Sequence, residues 1–259
     1  MQKPILTYHP LHHRVKVFSS TRRGGVSQGE YGEFNINPYC GDDLKAIEEN
    51  RQSLCQELAI DDDYLLMAHQ THGVESRIIE QEFFSLSVST RQMILEGVDS
   101  LITSLPGVSI GVSTADCIPV LLYDEEHHVA AAVHAGWRGT VKRIVQKTIA
   151  TMQQSYGTRS EFLRACIGPG ISLANFEVGD EVYQEFAQAG FQMASISRKM
   201  EKWHIDLPGC NRLQLLEVGV KDTNILNTGI CTYNHADDYF SARRLGIQSG
   251  RIYNGIILL

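Results

Sequence analysis

The stretch that most constrains this chain runs from Val108 to Arg138, VSIGVSTADCIPVLLYDEEHHVAAAVHAGWR. Two apolar runs, Cys117–Tyr123 and Val129–Val133, flank an acidic, polar turn centred on Glu125 and Glu126. Runs of this length, rich in Val, Ile and Leu and bounded by a polar cluster, read as buried strands. Pairing them as a hairpin about that centre predicts that Cys117 faces His134. Side chains opposite one another in an antiparallel pair have Cβ atoms about 4.5–5.5 Å apart, close enough for a thiolate and an imidazole to share one zinc ion.

A catalytic zinc takes three protein ligands and keeps one position open. The candidates for a third lie in Tyr64–Arg77, YLLMAHQTHGVESR, where Leu65–Met67 reads as strand and is followed by His69, Gln70, Thr71, His72 and Gly73. In an extended segment the two histidines point differently, so one of them faces the site, and the spacing leaves open which. Beyond His134, Gly136–Gly139 lead into Thr140, which reads as the N-cap of a helix running to about Ser155. Orphan N–H groups at that helix start, with Arg138 beside them, would favour a phosphate or carboxylate. Arg22 and Arg23, ahead of Gly24 and Gly25, could also aim at an anion, although an isolated RRGG is more often a solvated turn.

The rest of the chain alternates between the two periodicities. Val15–Phe18, Phe162–Ile167, Asn224–Leu226 and the final IYNGIILL read as strands, as does part of Gly97–Gly107. Asp43 should cap a helix over Leu44–Leu58 that shares Leu44, Ile47, Leu54, Cys55 and Leu58 on one face. Phe176–Ala189 and Leu207–Val218 read as further helices, with Gly190 stopping the first, while Met193–Ile205 fits neither pattern. Without repeats, low-complexity tracts or linkers, one mixed α+β domain over 1–259 is expected. A net charge of −7 favours neither nucleic acid nor an anionic membrane, so an anionic substrate needs a local arginine cluster. No apolar run approaches the roughly 20 residues that cross a bilayer, and MQKPILTYHP lacks a signal-peptide core. Six scattered cysteines without a CxxC fit reduced thiols, and hence a cytoplasmic protein, with Cys55 and Cys166 read as core. Nothing in the sequence indicates a protein partner.

Several motifs then fall into one order: STRRGGVS at Ser20–Ser27, FNIN and GDD…EENR within Phe34–Arg51, and QTHG at Gln70–Gly73. They continue with STADCIPVLLYD at Ser113–Asp124, HAGWRGT at His134–Thr140, IGPGI and FEVGDEV within Ile167–Val182, and CT…YFSARR…GR ending at Arg251. In this the chain resembles the YfiH/PgeF family, whose members carry the labels laccase-like polyphenol oxidase, peptidoglycan editing factor and purine nucleoside phosphorylase. The resemblance spans nearly the full length. It implies a mixed sheet folded into a sandwich flanked by helices, and a zinc held by His72, Cys117 and His134. It also carries the family's arginine-bearing motifs onto Arg22, Arg138, Arg243 and Arg244, with Asn35 nearby. Ala242 stands where an aromatic is common and Leu245 where an acid is common, which bears on substrate detail rather than on the metal.

Four readings of function follow. The first is a zinc enzyme acting on a small-molecule nucleoside with phosphate: a purine nucleoside phosphorylase, taking adenosine, inosine, guanosine or methylthioadenosine, with adenosine deaminase activity. Here zinc-bound water suits deamination, Arg22, Arg138, Arg243 and the helix start at Thr140 cradle phosphate, and Asp116 is either a proton carrier or a carboxylate orienting a histidine. In the second, Cys117 is a nucleophile and His134 its base in an amidase that edits peptidoglycan precursors. The third is a copper polyphenol oxidase. A multicopper cluster relies on His-x-His pairs, and none of the ten histidines has another two residues away. The fourth is a structural zinc, closed by His69, Cys231 or His235. His12, His13, His127 and His128 read as solvated.

Overall fold

The computed structural model describes residues 3–259. A five-stranded sheet runs in the order β1 (Leu6–Tyr8), β2 (Val15–Ser20), β14 (Ile252–Leu258), β6 (Ser109–Thr114) and β3 (Leu65–Met67). A six-stranded sheet runs β13 (Ile225–Asn227), β9 (Leu163–Ile167), β7 (Ile118–Asp124), β8 (Val129–Ala135), β5 (Ser100–Thr103) and β4 (Ser76–Ile79). Three short strands, β10 (Glu177–Val178), β12 (Trp203–Ile205) and β11 (Ser197–Lys199), form a small third sheet. Both large sheets are mixed, with parallel pairs β3–β6, β4–β5 and β9–β13 among antiparallel ones.

Strands β7 and β8 are apolar on both faces because both faces are covered. Ile118, Val120, Leu122, Val129, Ala131 and Val133 pack against Ile144, Val145, Ile149 and Met152 of the helix Ile144–Tyr156 and Leu215 of the helix Leu207–Glu217. From the opposite face, Leu121, Tyr123, Ala130 and Ala132 meet Val17, Ile110, Val112 and Ile256 of the five-stranded sheet. That sheet's outer face is covered in turn by Leu54, Cys55 and Leu58 of the helix Leu44–Leu58, packed on Phe18, Tyr253 and Ile257. Each Val, Leu, Ile, Phe or Met side chain so buried contributes about 1.5–3 kcal/mol of transfer free energy, and each alanine less. The result is the expected sandwich of mixed sheets with helices on its outer faces. Among the described residues no helix is long and apolar enough to cross a membrane.

The helix Leu44–Leu58 has the expected bounds, and Asp43 accepts from the N–H groups of Lys45 and Ala46. Leu44 departs from expectation: it is 69% exposed, since the buried stripe starts at Ile47. The central hairpin also departs. Pro119, not Cys117, pairs with His134, and Ile118 pairs with Ala135. The Asp124 carboxylate accepts from Glu126 N at 2.9 Å and His127 N at 3.2 Å, and His128 turns back at φ 57°. This Asx turn makes Glu125–His128 the loop and moves its centre toward the C-terminus. Cys117 consequently lies just ahead of β7, beside Gly136.

Two helix starts are displaced. Gly136, not Thr140, caps a short helix Trp137–Val141; Arg143 at φ 63° interrupts it before Ile144–Tyr156 begins. Thr140 is buried, and its N–H donates to Gly136 O at 2.8 Å. It therefore offers no orphan donor to a phosphate. The helix expected over Phe176–Ala189 spans only Asp180–Gln188, because Glu177 and Val178 pair with β12; Gly190, at φ 82°, follows its end as expected. The unassigned Met193–Ile205 resolves into a turn of helix, β11 and β12.

Candidate metal centre

Three separate segments bring His72, Cys117 and His134 together at one end of the sandwich. One ligand atom from each lies within 4.8 Å of the others, and no other group of three or more His, Cys, Asp or Glu side chains among the described residues does so. Cys117 Sγ is 3.8 Å from His72 Nε2, and the two imidazole rings meet edge-on at 4.9 Å. Tetrahedral zinc with ordinary bond lengths would set sulfur and nitrogen about 3.6 Å apart. A thiolate with two imidazoles is a donor set that suits zinc or copper. The residues fit such an ion.

What fixes this group is Asp99, fully buried at the entrance to β5. Its Oδ1 accepts from His134 Nδ1 at 2.7 Å and from His72 N at 3.0 Å. Its Oδ2 accepts from Gly73 N at 2.7 Å and Thr71 N at 3.2 Å. One carboxylate thus sets the His134 tautomer, leaving Nε2 for the site, and clamps the loop that carries His72 at φ 62°. Gln70 completes the clamp, exchanging two hydrogen bonds with the backbone of Ser113 in β6. Burial would raise the Asp99 pKa, but the His134 contact and the backbone donors outweigh it and hold the group ionised. Burial likewise opposes the Cys117 thiolate, yet the neighbouring His134 and His72 bring that thiol below its ordinary value. His134 is held above its own, despite burial, by Cys117 and Asp99. Gly136 leaves room for the group: a Cβ there would sit 2.9 Å from His72 Cδ2 and 3.0 Å from Cys117 Sγ.

Asp99 is the organising residue that sequence reasoning missed. Its partners lie 26 to 35 residues away, and only an acid entering a buried strand in GVDSL marked it. Asp116, considered as a proton carrier, has both oxygens engaged, with Thr232 Oγ1 at 2.7 Å and Arg243 N at 2.7 Å. It adopts φ 85° and fixes the approach to Cys117. The orienting carboxylate is therefore Asp99, not Asp116.

The three residues line a cavity of about 230 Å³ together with Tyr39, His69 and Arg251. Tyr39, 49% exposed, stacks on His69 at 4.1 Å, and Glu96 grips His69 Nδ1 at 2.8 Å. Neither His69 nor Cys231, which contacts Ser172 and Asn175, nor His235 joins the metal-capable group. Among the arginines, Arg22 donates to Gly32 O and Ala236 O and lies over Phe240. Arg138 stacks on Trp137, Arg243 reaches Glu177 O, and Arg244 reaches Tyr233 O. None of these four is among the residues that line the cavity, whereas Arg251 is. Asn35, fully buried, accepts the Arg251 backbone N–H at 3.1 Å. His12, expected to be solvated, instead packs against both His13 and Tyr123, and His128 accepts or donates at Tyr123 Oη.

Residues 16–259 match the family model described as multi-copper polyphenol oxidoreductase laccase. The chain belongs to this family, the laccase-like YfiH proteins. It is 46% identical over 261 aligned residues to a Bacteroides thetaiotaomicron protein named purine nucleoside phosphorylase, covering 99% of this chain and 97% of that one. It is 40% identical to adenosine deaminase RL5 from an unknown prokaryotic organism, covering 93% of each. Among solved structures, YlmD from Geobacillus stearothermophilus superposes with a TM-score of 0.89 at 26% identity, over 96% of this chain and 94% of that one. The family's description names several coppers, whereas the described residues offer one three-residue group.

Proposed function

We propose that this family member is a zinc enzyme of purine nucleosides, cleaving them with phosphate and deaminating adenosine at the same site. The observation that carries the reading is the three-ligand group His72–Cys117–His134, clamped by Asp99 and opening into a small cavity. Three protein ligands are the mark of a catalytic rather than a structural zinc. The names of the relatives supply the substrate class. The cavity, at about 230 Å³, is small and concave, as a small-molecule site is. Tyr39, backed by His69, offers a flat face on which a purine can stack.

When bound, the ion supplies Lewis acidity and a water of lowered pKa. The chain's own residues do the rest. His72, Cys117 and His134 hold the ion, Asp99 keeps the His134 Nδ1 proton in place, and Asp116 positions Cys117. In phosphorolysis the C1′–N bond breaks, a C1′–O bond to phosphate forms, and the base leaves with a proton. In deamination water replaces the 6-amino group and ammonia departs.

One observation favours a second reading. The lowered Cys117 thiol beside two imidazoles is also what a nucleophilic cysteine needs, as in an editing amidase. Zinc coordination would blunt that nucleophile, so the two readings separate in one assay. Adenosine, inosine and methylthioadenosine are incubated with protein of measured zinc content, with and without phosphate, beside Cys117→Ser. Free base and sugar phosphate, or inosine from adenosine, that require both zinc and Cys117 support the proposal. Fully loaded protein that turns over none of the three refutes it, and muramoyl-amino-acid substrates then become the test of the amidase.

A further inference from the structure

We propose that Arg251 is the anion anchor of the cavity and holds the phosphate co-substrate; this rests on the phosphorolysis reading above. The resemblance-based cradle of Arg22, Arg138, Arg243 and Arg244 lies outside the cavity lining, whereas Arg251 shares that lining with Cys117 and His134. An arginine presents five N–H donors in a planar fork that matches phosphate. Those of Arg251 that are used go to neutral acceptors. Nη1 donates to Ser249 O at 2.5 Å, Gly250 O at 3.0 Å and Ser249 Oγ at 3.4 Å, and Nη2 donates to Ile247 O at 2.9 Å. Among the described residues no hydrogen bond engages Nε, one Nη2 hydrogen is left over, and no carboxylate pairs with the charge. An Nε–H and one Nη2–H are thus free of protein acceptors, and a guanidinium with donors to spare can grip two oxygens of one anion.

The backbone contacts serve this role by holding the guanidinium rigid. The 247–250 loop clasps one side of it, and the Arg251 N–H is tied to buried Asn35. A half-buried cation whose hydrogen-bond partners are all neutral gains from an anion, since the attraction is stronger there than in bulk water. Its position also suits the chemistry. The group that would hold the metal and the group that would hold phosphate face the same small space, as transfer of a sugar from base to phosphate requires.

The test uses the zinc-loaded protein and inorganic phosphate itself. Phosphate affinity is read by isothermal titration, and the KM values for phosphate and nucleoside are measured separately, for wild type, Arg251→Gln and Arg251→Lys. Loss of a bidentate charged contact should weaken phosphate about 10- to 100-fold in Arg251→Gln. Nucleoside KM should move by less than about threefold on the same scale. Arg251→Lys keeps the charge but not the fork, and should fall between. If Arg251 merely pins the 247–250 loop, both KM values rise together, and the proposal fails. It fails also if Arg251→Gln and Arg251→Lys, folded by circular dichroism, bind phosphate as wild type does, or if wild type binds none. Phosphate binding that depends on Arg251 in a protein that turns over no nucleoside would keep the anchor and reject the phosphorylase reading.

Discussion

Replacing Asp99 with asparagine tests the architecture of the site with nearly no change of shape. The carboxylate accepts four hydrogen bonds, two at each oxygen. Asparagine keeps one oxygen and turns an NH₂ group toward the other two donors. Whichever way the amide sits, two N–H groups at a fully buried position lose their acceptor and the charge is gone. At about 1–3 kcal/mol for each stranded donor, the cost is roughly 2–6 kcal/mol. In a chain of this size that is a fall in Tm on the order of 4–20 °C. The amide that faces His134 Nδ1 also decides its tautomer, so zinc affinity should fall about 10- to 100-fold. Urea melts of metal-stripped protein read the first effect, and competition for zinc with a chromophoric chelator reads the second. If Asp99→Asn melts within about 1 kcal/mol of wild type and keeps its zinc affinity within threefold, the clamp assigned to Asp99 is wrong.

Two further outcomes are expected. Gly136→Ala should separate metal affinity from stability. At φ −65° the backbone accepts alanine, yet its Cβ would sit inside van der Waals contact with the ends of the His72 and Cys117 side chains, which can turn aside in metal-free protein but not while both hold an ion. Zinc affinity should drop by at least about tenfold while metal-free stability changes by less than about 1 kcal/mol; unchanged affinity would show that the ligands do not close over Gly136. The second concerns pH. Burial lowers His9 from 6.5 to about 4, with its Nε2 against Ser19 Oγ at 3.0 Å and Ser19 in turn donating to Asn254. The unfolded chain therefore takes up a proton that the folded one refuses. Stability is intact above pH 6.5 and is lost as pH falls toward 4, by roughly 2–3 kcal/mol at pH 4.5. Urea melts at pH 7 and 4.5 should show that slope in wild type and a shallower one in His9→Gln; equal slopes would place the titration elsewhere.

What the sequence reveals here is what is local. The helix Leu44–Leu58 is legible because its cap and its periodicity sit within one stretch. The strands of the central hairpin are legible from their apolar runs, but not their register. That depends on the Asp124 side chain seizing two N–H groups of the turn, which shifts Cys117 from His134 to Gly136. Cys117 and His134 still meet, because His134 reaches from the end of β8 and Cys117 from the segment before β7. Only the family's motif singles out His72 over His69 in the sequence. The physical reason is the left-handed turn at His72 and the Glu96 and Tyr39 contacts that hold His69. Asp99 and Arg251 escape any local reading, since each acts on partners brought near only by the fold.

In the proposed enzyme His72, Cys117 and His134 hold one zinc with a position left open. X-ray absorption at the zinc edge, on purified protein of measured metal content, tests it most directly. The expected result is one ion per chain with one sulfur at about 2.3 Å, two imidazole nitrogens at about 2.0–2.1 Å and one light oxygen neighbour, the sulfur signal vanishing in Cys117→Ser. A shell of four protein ligands without that oxygen, more than one ion per chain, or sulfur coordination that survives Cys117→Ser would contradict it.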